Sequence, residues 1–250
     1  MREVWLIGIG TGSPGHMTRD GLTALREATV ILLPRKGAGK EDLADIRLRL
    51  VADSGSAAQC VPFDYPERDL ALPYGERVER WHDEIARRWE TALATAPPGP
   101  AALLVWGDPC LYDSTLRIAS RLRLAASPRV IPGISALQAL TAAHAIPLSS
   151  VNGSVTITTG RRLRDEGWPA GAETLAVMLD GECSFAGLVP EGLEIWWGAY
   201  LGMAEQILDC GPLADAAPRI VARRAAARSA HGWIMDTYLL SACGPDAYLG

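Results

Sequence analysis

The sequence predicts an α/β protein with two domains and a ligand site at the ends of strands. Apolar, strand-like segments alternate with helix-like segments through the first half of the chain, which is typical of a largely parallel sheet. After Pro132-Gly133 the pattern changes to short strands separated by turns rich in glycine and proline. Two apolar strands run directly into glycine-containing turns, at Gly8 and Gly107. Ligands of open α/β sheets collect beyond such strand ends, where glycine lets the main chain approach closely.

The composition excludes several functional classes. The chain has 250 residues, 48% of them hydrophobic, which is enough to bury a sizeable core. A formal net charge of −5 at pH 7 disfavours a nucleic-acid binder that relies on a broad basic face. The opening segment lacks the basic and apolar regions of a signal peptide, and no apolar run approaches the ~20 residues of a membrane span. We therefore predict a soluble cytoplasmic protein without nucleic-acid or membrane partners.

The five cysteines give no sign of a metal site or a disulfide framework. They are odd in number and widely spaced, and no two of them form a C-x-x-C pair. We therefore expect neither structural zinc nor disulfides. The five are Cys60, Cys110, Cys183, Cys210 and Cys243.

The first half is predicted to form a mostly parallel sheet with helices between its strands. The expected strands lie near residues 3–8, 29–33, 59–63, 101–106 and 129–131, and the expected helices near residues 18–28, 41–52, 75–95 and 113–125. Thr18 suits the N-cap of the first helix, and Asp113-Ser114-Thr115 offers capping groups for the fourth. We assign residues 1–132 to an N-terminal α/β domain.

The second half is predicted to form another α/β domain, residues 133–250, with a mixed sheet and a cleft toward the first domain. A capping box at Ser135-Ala-Leu-Gln138 predicts a helix from Ala136 to Ala145. The expected later elements are strands at Val155–Thr159, Leu175–Leu179, Leu193–Trp197 and Trp233–Leu240, and helical stretches near residues 202–209 and 222–230. Trp196 and Trp197 are adjacent on a predicted strand and face opposite ways, so we expect at least one in the core.

The glycine series after the first strand differs from the dinucleotide-binding fingerprint. Ser13 stands where the third glycine of G-x-G-x-x-G would be, and the second strand ends in Arg35-Lys36 without an acidic residue for a ribose hydroxyl. NAD is therefore disfavoured, although a basic residue there would suit NADP. Pro14 blocks an immediate helix start, so we expect a flat loop after the glycines.

Four motifs and their spacing resemble those of the tetrapyrrole methylase family. They are Gly8-x-Gly10-x-Gly12-x-Pro14-Gly15, Gly107-Asp108-Pro109-x-x-Tyr112, Val130-Ile-Pro132-Gly133-Ile-Ser135-Ala136 and Ile146-Pro147-Leu148. The resemblance covers nearly the whole chain. It implies a class III methyltransferase fold that binds S-adenosylmethionine in the interdomain cleft, releases S-adenosylhomocysteine and methylates precorrins or related substrates. The first motif departs from the family's usual G-x-G-P-G-D, since Thr11, Gly12 and Ser13 intervene between Gly10 and Pro14, and His16 replaces the acid.

Further segments are similar to family members that methylate precorrin-5 at C1 and expel acetate in aerobic cobalamin synthesis. They are residues 8–18, 36–43, 63–69 and 232–240. The resemblance implies the same tetrapyrrole substrate and a homodimer. Three other functions stay open: a sibling methylase for another ring position, a carrier or sensor that binds tetrapyrrole or S-adenosylmethionine without turnover, and an NADP-dependent reductase.

The resemblance also implies which residues contact the cofactor, mostly through main-chain atoms. They are Pro14, Gly107, Asp108, Leu111, Ser135, Ala136, Leu179, Tyr200 and Leu201. The substrate of such an enzyme carries many carboxylates. We therefore expect Arg35, Lys36 and Lys40, which follow the second strand, to clamp them.

Acetate release would require a catalytic base, because water must add to an acetyl carbonyl. The candidates near the predicted cleft are His16, Asp64, Tyr65, Asp108, Tyr112 and Asp113. His16 is our first choice, since an unperturbed pKa of about 6.5 suits proton transfer near neutrality. Each candidate also has an ordinary interpretation: a loop histidine or tyrosine often only forms hydrogen bonds, and Asp113 suits a helix cap.

Overall fold

The computed structural model describes residues 2–35, 41–124 and 126–242, except the side chains of residues 41–43. The chain divides into two compact units, Met1–Ser135 and Ala136–Gly250, and each contains a five-stranded sheet. This architecture is the predicted α/β class. The domain boundary after residue 132 stays a prediction.

The first unit is built around a parallel sheet with strand order β3-β2-β4-β1-β5. In chain order its elements are β1 (Val4–Gly8), α1 (Arg19–Glu27), β2 (Val30–Arg35), α2 (Glu41–Ser54), β3 (Gln59–Asp64), α3 (Tyr74–Ala94), β4 (Ala101–Val105), α4 (Thr115–Ala119) and β5 (Arg129–Ile131). The predicted parallel sheet is confirmed. Because all five strands run the same way, their carboxyl ends meet at one edge, where the candidate site begins.

Helices cover both faces of this sheet because successive strand residues point to opposite sides. On one face Ile7 packs in a cluster with Leu25 of α1 and Val51 of α2. On the other face Leu6 packs in a cluster with Trp89 of α3. Full burial of such a side chain contributes roughly 1.5–3 kcal/mol, so the strands that carry the site are firmly anchored.

Local sequence signals set the helix starts in this unit. Thr18 is the N-cap of α1, and its Oγ1 accepts a hydrogen bond from Gly21 N–H at 3.0 Å. Asp113 Oδ1 accepts from Thr115 N–H at 2.6 Å at the start of α4. The Thr18 prediction is confirmed; at α4 the N-cap residue is Ser114, whose side chain makes no capping hydrogen bond, and Asp113 provides the acceptor instead. However, α4 is shorter than predicted, because turn-type hydrogen bonds such as Leu122 N–H to Ala119 O replace the helical pattern after Ala119.

The expected flat loop at Pro14 is wrong. Residues Pro14–His16 form one turn of 3₁₀ helix, with Ser13 as N-cap and its Oγ accepting from Gly15 N–H at 3.2 Å. Proline is tolerated at the first helical position, because a backbone N–H at that position would have no intrahelical acceptor in any case. The turn brings His16 back toward the start of the loop.

The second unit contains a mixed sheet with strand order β6-β7-β10-β8-β9. Its elements are α5 (Ala136–His144), β6 (Val155–Thr159), α6 (Gly160–Glu166), β7 (Thr174–Met178), β8 (Glu194–Ala199), β9 (Ile207–Pro212), α7 (Leu213–His231) and β10 (Asp236–Ser241). β6 and β7 are parallel, and the other three pairings are antiparallel, which confirms the predicted mixed sheet. Trp196 and Trp197 are both buried.

The helices of this unit differ from the expected ones in three ways, although residues 222–230 are helical as predicted. Residues 202–209 are not helical: a turn closed by Gly202 N–H and Gln206 Oε1 (2.8 Å) leads into β9, which pairs along β8. α7 begins at Leu213 rather than near residue 222, and Pro218 lies inside it. α6 was not predicted; Thr159 caps it by accepting from Arg162 N–H at 3.3 Å.

Within the described residues, no helix is both long and apolar enough to cross a membrane. Cys60, Cys110, Cys183 and Cys210 carry free thiols, and Cys243 lies outside the described residues.

Candidate functional site

The carboxyl edge of the first sheet is formed by closely packed main chain. The loops after β1 and β4 are joined by hydrogen bonds in both directions between Gly10 and Gly107, at 3.3 and 2.7 Å. Gly133, after β5, lies so close that an added Cβ would clash with Gly107 O and with the backbone of Gly8. Because these neighbours are backbone atoms, they cannot move aside. Three strand-end loops therefore meet at one place.

Asp108 connects two of these loops through its carboxylate. Oδ2 accepts from Gly133 N–H at 3.0 Å, and Oδ1 accepts from Cys110 N–H at 2.8 Å. Each carboxylate oxygen has a second lone pair, and the side chain is only partly buried. Asp108 can therefore organise the loops and still accept a hydrogen bond from a ligand.

His16 lies in the loop after β1 and contacts Thr11. The distance from Thr11 Oγ1 to His16 Nδ1 is 2.9 Å. Burial lowers the pKa of His16 below its ordinary value of 6.5, so the ring is neutral at pH 7. In the tautomer whose hydrogen is on Nδ1, a neutral imidazole can donate a hydrogen bond from Nδ1 to a hydroxyl. Its Nε2 then has a lone pair that can accept a proton.

The loop after Asp108 carries three further predicted residues. Leu111 N–H donates to Asp108 O at 3.2 Å. Tyr112 has a φ of +50° and exposes 41% of its surface, an uncommon backbone conformation for a bulky residue. Asp113 Oδ1 is engaged in capping α4, which supports its ordinary interpretation.

At the ends of β2 and β3, Arg35 and Asp64 form a two-point ion pair. Arg35 Nε and Nη2 donate to Asp64 Oδ1 and Oδ2, both at 3.0 Å, and both side chains are mostly exposed. Tyr65 stacks on Trp81 with ring centroids 5.6 Å apart, and burial raises its pKa, so it stays protonated at neutral pH. Lys36 and Lys40 lie outside the described residues.

Sequence reasoning missed Arg47, which lies on α2 behind the same edge. It is only 6% exposed, its Nε donates to Leu104 O at 3.2 Å, and its guanidinium lies 5.0 Å from the centre of the Trp106 ring. Burial lowers its pKa to about 10, so it is still a cation at neutral pH. Arg47 thus supports the residue directly before Gly107. An arginine on an amphipathic helix normally lies on the surface, so the sequence alone gave no signal.

Ser135 and Ala136 lie where the two units meet along the chain. Ser135 is 4% exposed at the end of the first unit, and Ala136 is the first residue of α5. Both keep their predicted cofactor role as a prediction.

In the second unit, Leu179 and Tyr200 lie at the same edge of the sheet. β10 pairs antiparallel with both β7 and β8, so the ends of β7 and β8 both lie beside the start of β10. Leu179 has a φ of +54° and is 66% exposed, whereas Tyr200 has a φ of +50° and is 1% exposed. Leu201 is buried. Strained backbone of this kind is concentrated at functional sites.

Behind Leu179 lies a buried polar network that sequence reasoning also missed. The Asp180 carboxylate accepts from Ser184 N–H, Glu182 N–H and the hydroxyls of Ser184 and Tyr238. Asp180 resembles Asp108 in sequence, because each aspartate is adjacent to a glycine shortly after a strand. That similarity could have identified Asp180 from the sequence.

The family model of the Tetrapyrrole (Corrin/Porphyrin) Methylases matches residues 3–217. The chain belongs to the tetrapyrrole methylase family. Among the described residues, no group of three or more His, Cys, Asp or Glu side chains could hold a metal ion.

Individual relatives within this family are similar over nearly their whole length. A precorrin-6A synthase [deacetylating] from Sinorhizobium sp. is 45% identical, with 96% of this chain and 95% of the relative covered. The crystal structure of a cobalamin synthesis related protein (CobF) from Corynebacterium diphtheriae has 38% identity and a TM-score of 0.83, covering 96% and 98%. A uroporphyrin-III C-methyltransferase from Thermus thermophilus, complexed with S-adenosyl homocysteine, has 18% identity and a TM-score of 0.60, covering 96% and 97%. This last likeness shows the methylase fold alone.

Proposed function

We propose that this chain catalyses the reaction named for its relative, precorrin-6A synthase (deacetylating). S-Adenosylmethionine would methylate precorrin-5 at C1 with release of acetate, giving precorrin-6A and S-adenosylhomocysteine in aerobic cobalamin biosynthesis. The observation that carries the proposal is 45% identity over 96% of this chain and 95% of the relative. The similarity spans both units, so it covers segments outside the shared methylase motifs as well as the motifs themselves.

The residues at the two sheet edges fit S-adenosylmethionine as the methyl donor. In the first unit, glycine main chain packs at the strand ends and Asp108 keeps acceptor capacity for an amine or a hydroxyl. In the second unit, Leu179 exposes an apolar side chain suited to a flat ring. The proposed contacts are Pro14, Gly107, Asp108, Leu111, Ser135, Ala136, Leu179, Tyr200 and Leu201.

Methyl transfer asks the protein mainly for alignment. The bound donor supplies a methyl group on a sulfonium, which leaves as a neutral thioether. A precorrin ring carbon in its enamine form is already nucleophilic, so no base is required for this step. Holding the two reactants in line can supply roughly 7–11 kcal/mol of the barrier. The rigid strand-end loops around Gly107 and Gly133 support such fixed positioning.

Acetate release is the step that needs acid–base chemistry. Water adds its oxygen to the acetyl carbonyl, the carbon–carbon bond to the macrocycle breaks, and the bonding electron pair stays with the macrocycle. We assign the base to His16: in the tautomer with the hydrogen on Nδ1, this atom would donate to Thr11 Oγ1, 2.9 Å away, and Nε2 would take the proton from water. Tyr112 is our candidate donor to the developing oxyanion, because it is 41% exposed and follows Asp108 by four residues in the same loop.

Arg35 is the proposed clamp for a substrate carboxylate. Its Nε and one Nη2 hydrogen are directed at Asp64, and a guanidinium has five N–H donors in all. The Asp64 pair therefore fixes the direction of the fork without using every donor. Lys36 and Lys40 keep the same proposed role from their sequence positions alone.

The test incubates purified protein with S-adenosylmethionine and enzymatically prepared precorrin-5. The molecular mass of the tetrapyrrole is then measured by mass spectrometry, and acetate is assayed in parallel. One methyl gained, one acetyl lost and a matching amount of acetate are expected. Methyl gain without acetate would instead indicate a sibling methylase, and donor binding without turnover would indicate a carrier or sensor.

The homodimer and the cytoplasmic location stay predictions from the family resemblance. Light scattering coupled to size-exclusion chromatography measures the first directly, with a mass of twice 26.7 kDa expected. Fractionation of the producing cells tests the second.

A further inference from the structure

The turn after β7 holds a large apolar residue in an unfavourable conformation. Leu179 has a φ of +54° and exposes 66% of its surface. Glycine adopts positive φ without a steric penalty, so leucine at this position carries a backbone strain that glycine would avoid. Leucine there combines backbone strain with an exposed apolar side chain. This combination is expected where the residue serves a ligand.

Asp180, the next residue, is the centre of the contacts that stabilise this turn. Its Oδ1 accepts from Glu182 N–H and Ser184 Oγ, each at 3.0 Å. Its Oδ2 accepts from Ser184 N–H at 2.6 Å and from Tyr238 Oη at 2.7 Å. The residue is 7% exposed. Four donors around one buried carboxylate leave the turn little freedom to rearrange.

A second set of contacts fixes the main chain of the same turn. Arg224 of α7 donates from Nη2 to Asp180 O at 2.8 Å and from Nη1 to Gly181 O at 3.3 Å. Its Nε donates to Asp236 Oδ2 at 2.8 Å, and Asp236 also accepts from Trp197 Nε1 at 2.9 Å. The turn is thereby tied to α7, β8 and β10.

The first residue of α6, Gly160, leaves room for this carboxylate. A Cβ on Gly160 would clash with the Asp180 side chain. Even alanine at residue 160 would therefore displace Asp180 from its donors.

We propose that Asp180 is a positioning residue that holds Leu179 in its left-handed, exposed conformation so that Leu179 receives the nucleoside part of the methyl donor. Asp180 is buried behind the turn and acts through Leu179 rather than by contact with the donor. This inference rests on the proposed methyltransferase function. It adds a residue outside the contacts implied by the family motifs, together with the way in which that residue acts.

The test measures S-adenosylmethionine affinity by titration calorimetry in the full-length protein. Asp180→Asn removes the charge and one of the two acceptor oxygens, each of which accepts two hydrogen bonds, while keeping the shape. The expected result is at least a tenfold rise in the Kd for S-adenosylmethionine, with kcat at saturating donor and the KM for precorrin-5 changed less than threefold. Asp215→Asn, which changes an exposed carboxylate on α7, is the matched control, with no change expected in any of the three quantities.

A double-mutant comparison separates positioning from stability. Because glycine tolerates positive φ, Asp180→Asn made in the Leu179→Gly background is expected to raise the Kd less than threefold further. An equal rise in both backgrounds would overturn the proposal, as would an unchanged Kd in the single variant. If Asp180→Asn is not recovered folded, Tyr238→Phe decides: it removes one donor to Asp180 while the ring keeps its place against Phe185. A Kd raised at least threefold supports the proposal, and an unchanged Kd overturns it.

The wild-type titration distinguishes the two levels of inference. If the wild-type protein does not bind S-adenosylmethionine, the proposed function fails and the positioning proposal fails with it. If the wild type binds and the variants bind equally well, only the positioning proposal fails.

Discussion

The Asp108 carboxylate and the Gly133 N–H form a 3.0 Å hydrogen bond that joins the loops after β4 and β5. The other carboxylate oxygen accepts from Cys110 N–H at 2.8 Å. One side chain therefore fixes two of the three loops at the carboxyl edge of the first sheet. We therefore expect the loss of this side chain to change the positions of these loops directly, and to affect the reaction through that change.

Asp108→Ala is expected to lower the free energy of unfolding by about 1–3 kcal/mol, because it leaves backbone donors without their acceptor. Asp108→Asn keeps one acceptor oxygen and is expected to be more stable than the alanine variant, yet to bind S-adenosylmethionine more weakly than wild type. Urea unfolding and calorimetric titration measure the two effects. Asp53→Asn, an exposed carboxylate of the same unit, serves as control. Wild-type affinity in Asp108→Asn would exclude a role for its charge in donor binding.

Gly133→Ala should be severely disruptive, because the three atoms nearest to the new methyl group are backbone atoms of Gly107 and Gly8. We expect a loss of stability of at least the roughly 1–3 kcal/mol typical of overpacked positions and loss of methyl transfer. Gly75→Ala is the matched control: nothing lies within 4 Å of its added Cβ in the first turn of α3. That change should stabilise the protein by about 0.4–1 kcal/mol. Thermal unfolding of both variants gives the comparison, and similar behaviour would contradict the close packing of the loops.

Much of this edge could be predicted from the sequence, and some of it could not. The strands that end at Gly8 and Val105 are short apolar runs bounded by glycine, so their positions follow from local pattern. β9 was missed because its pairing with β8 is a tertiary contact that overrides the local preference of residues 202–209. The start of α7 was missed because Pro218 is normally a helix breaker. The contact of Arg47 with Leu104 and the hydrogen bond from Tyr238 to Asp180 join residues far apart in the chain, which no local pattern encodes.

The His16 base assignment predicts a specific pH dependence for acetate release. A base must be unprotonated to accept a proton, so the rate falls as the pH drops through its pKa. Burial lowers the pKa of His16 below 6.5, so the acidic limb should lie below pH 6.5 and the rate should be constant above it up to neutrality. His16→Gln should reduce acetate release by about 10²–10⁴-fold with little change in the Kd for S-adenosylmethionine. A variant that releases acetate at the wild-type rate would exclude this base.

Thr11→Val provides the companion measurement for His16, because it removes the hydroxyl that contacts Nδ1 at 2.9 Å. If this contact selects the tautomer with a basic Nε2, the variant should also slow acetate release, although less than His16→Gln. Its methyl-donor affinity should stay at the wild-type value. Equal loss of donor affinity and acetate release would instead indicate a disordered loop.

Arg35→Gln should weaken substrate binding more than donor binding. The Arg35–Asp64 pair is mostly exposed, and exposed pairs contribute about 0–1 kcal/mol, so the variant should stay folded. A lost charge-assisted hydrogen bond to a substrate carboxylate is worth roughly 1.5–3 kcal/mol, which corresponds to about a tenfold or greater rise in the KM for precorrin-5. Arg162→Gln removes a comparable exposed pair with Glu166 in the second unit and should leave the KM unchanged. Equal weakening of donor and substrate binding by Arg35→Gln would argue against a clamp, because a group that contacts only the substrate cannot change the intrinsic affinity for the donor.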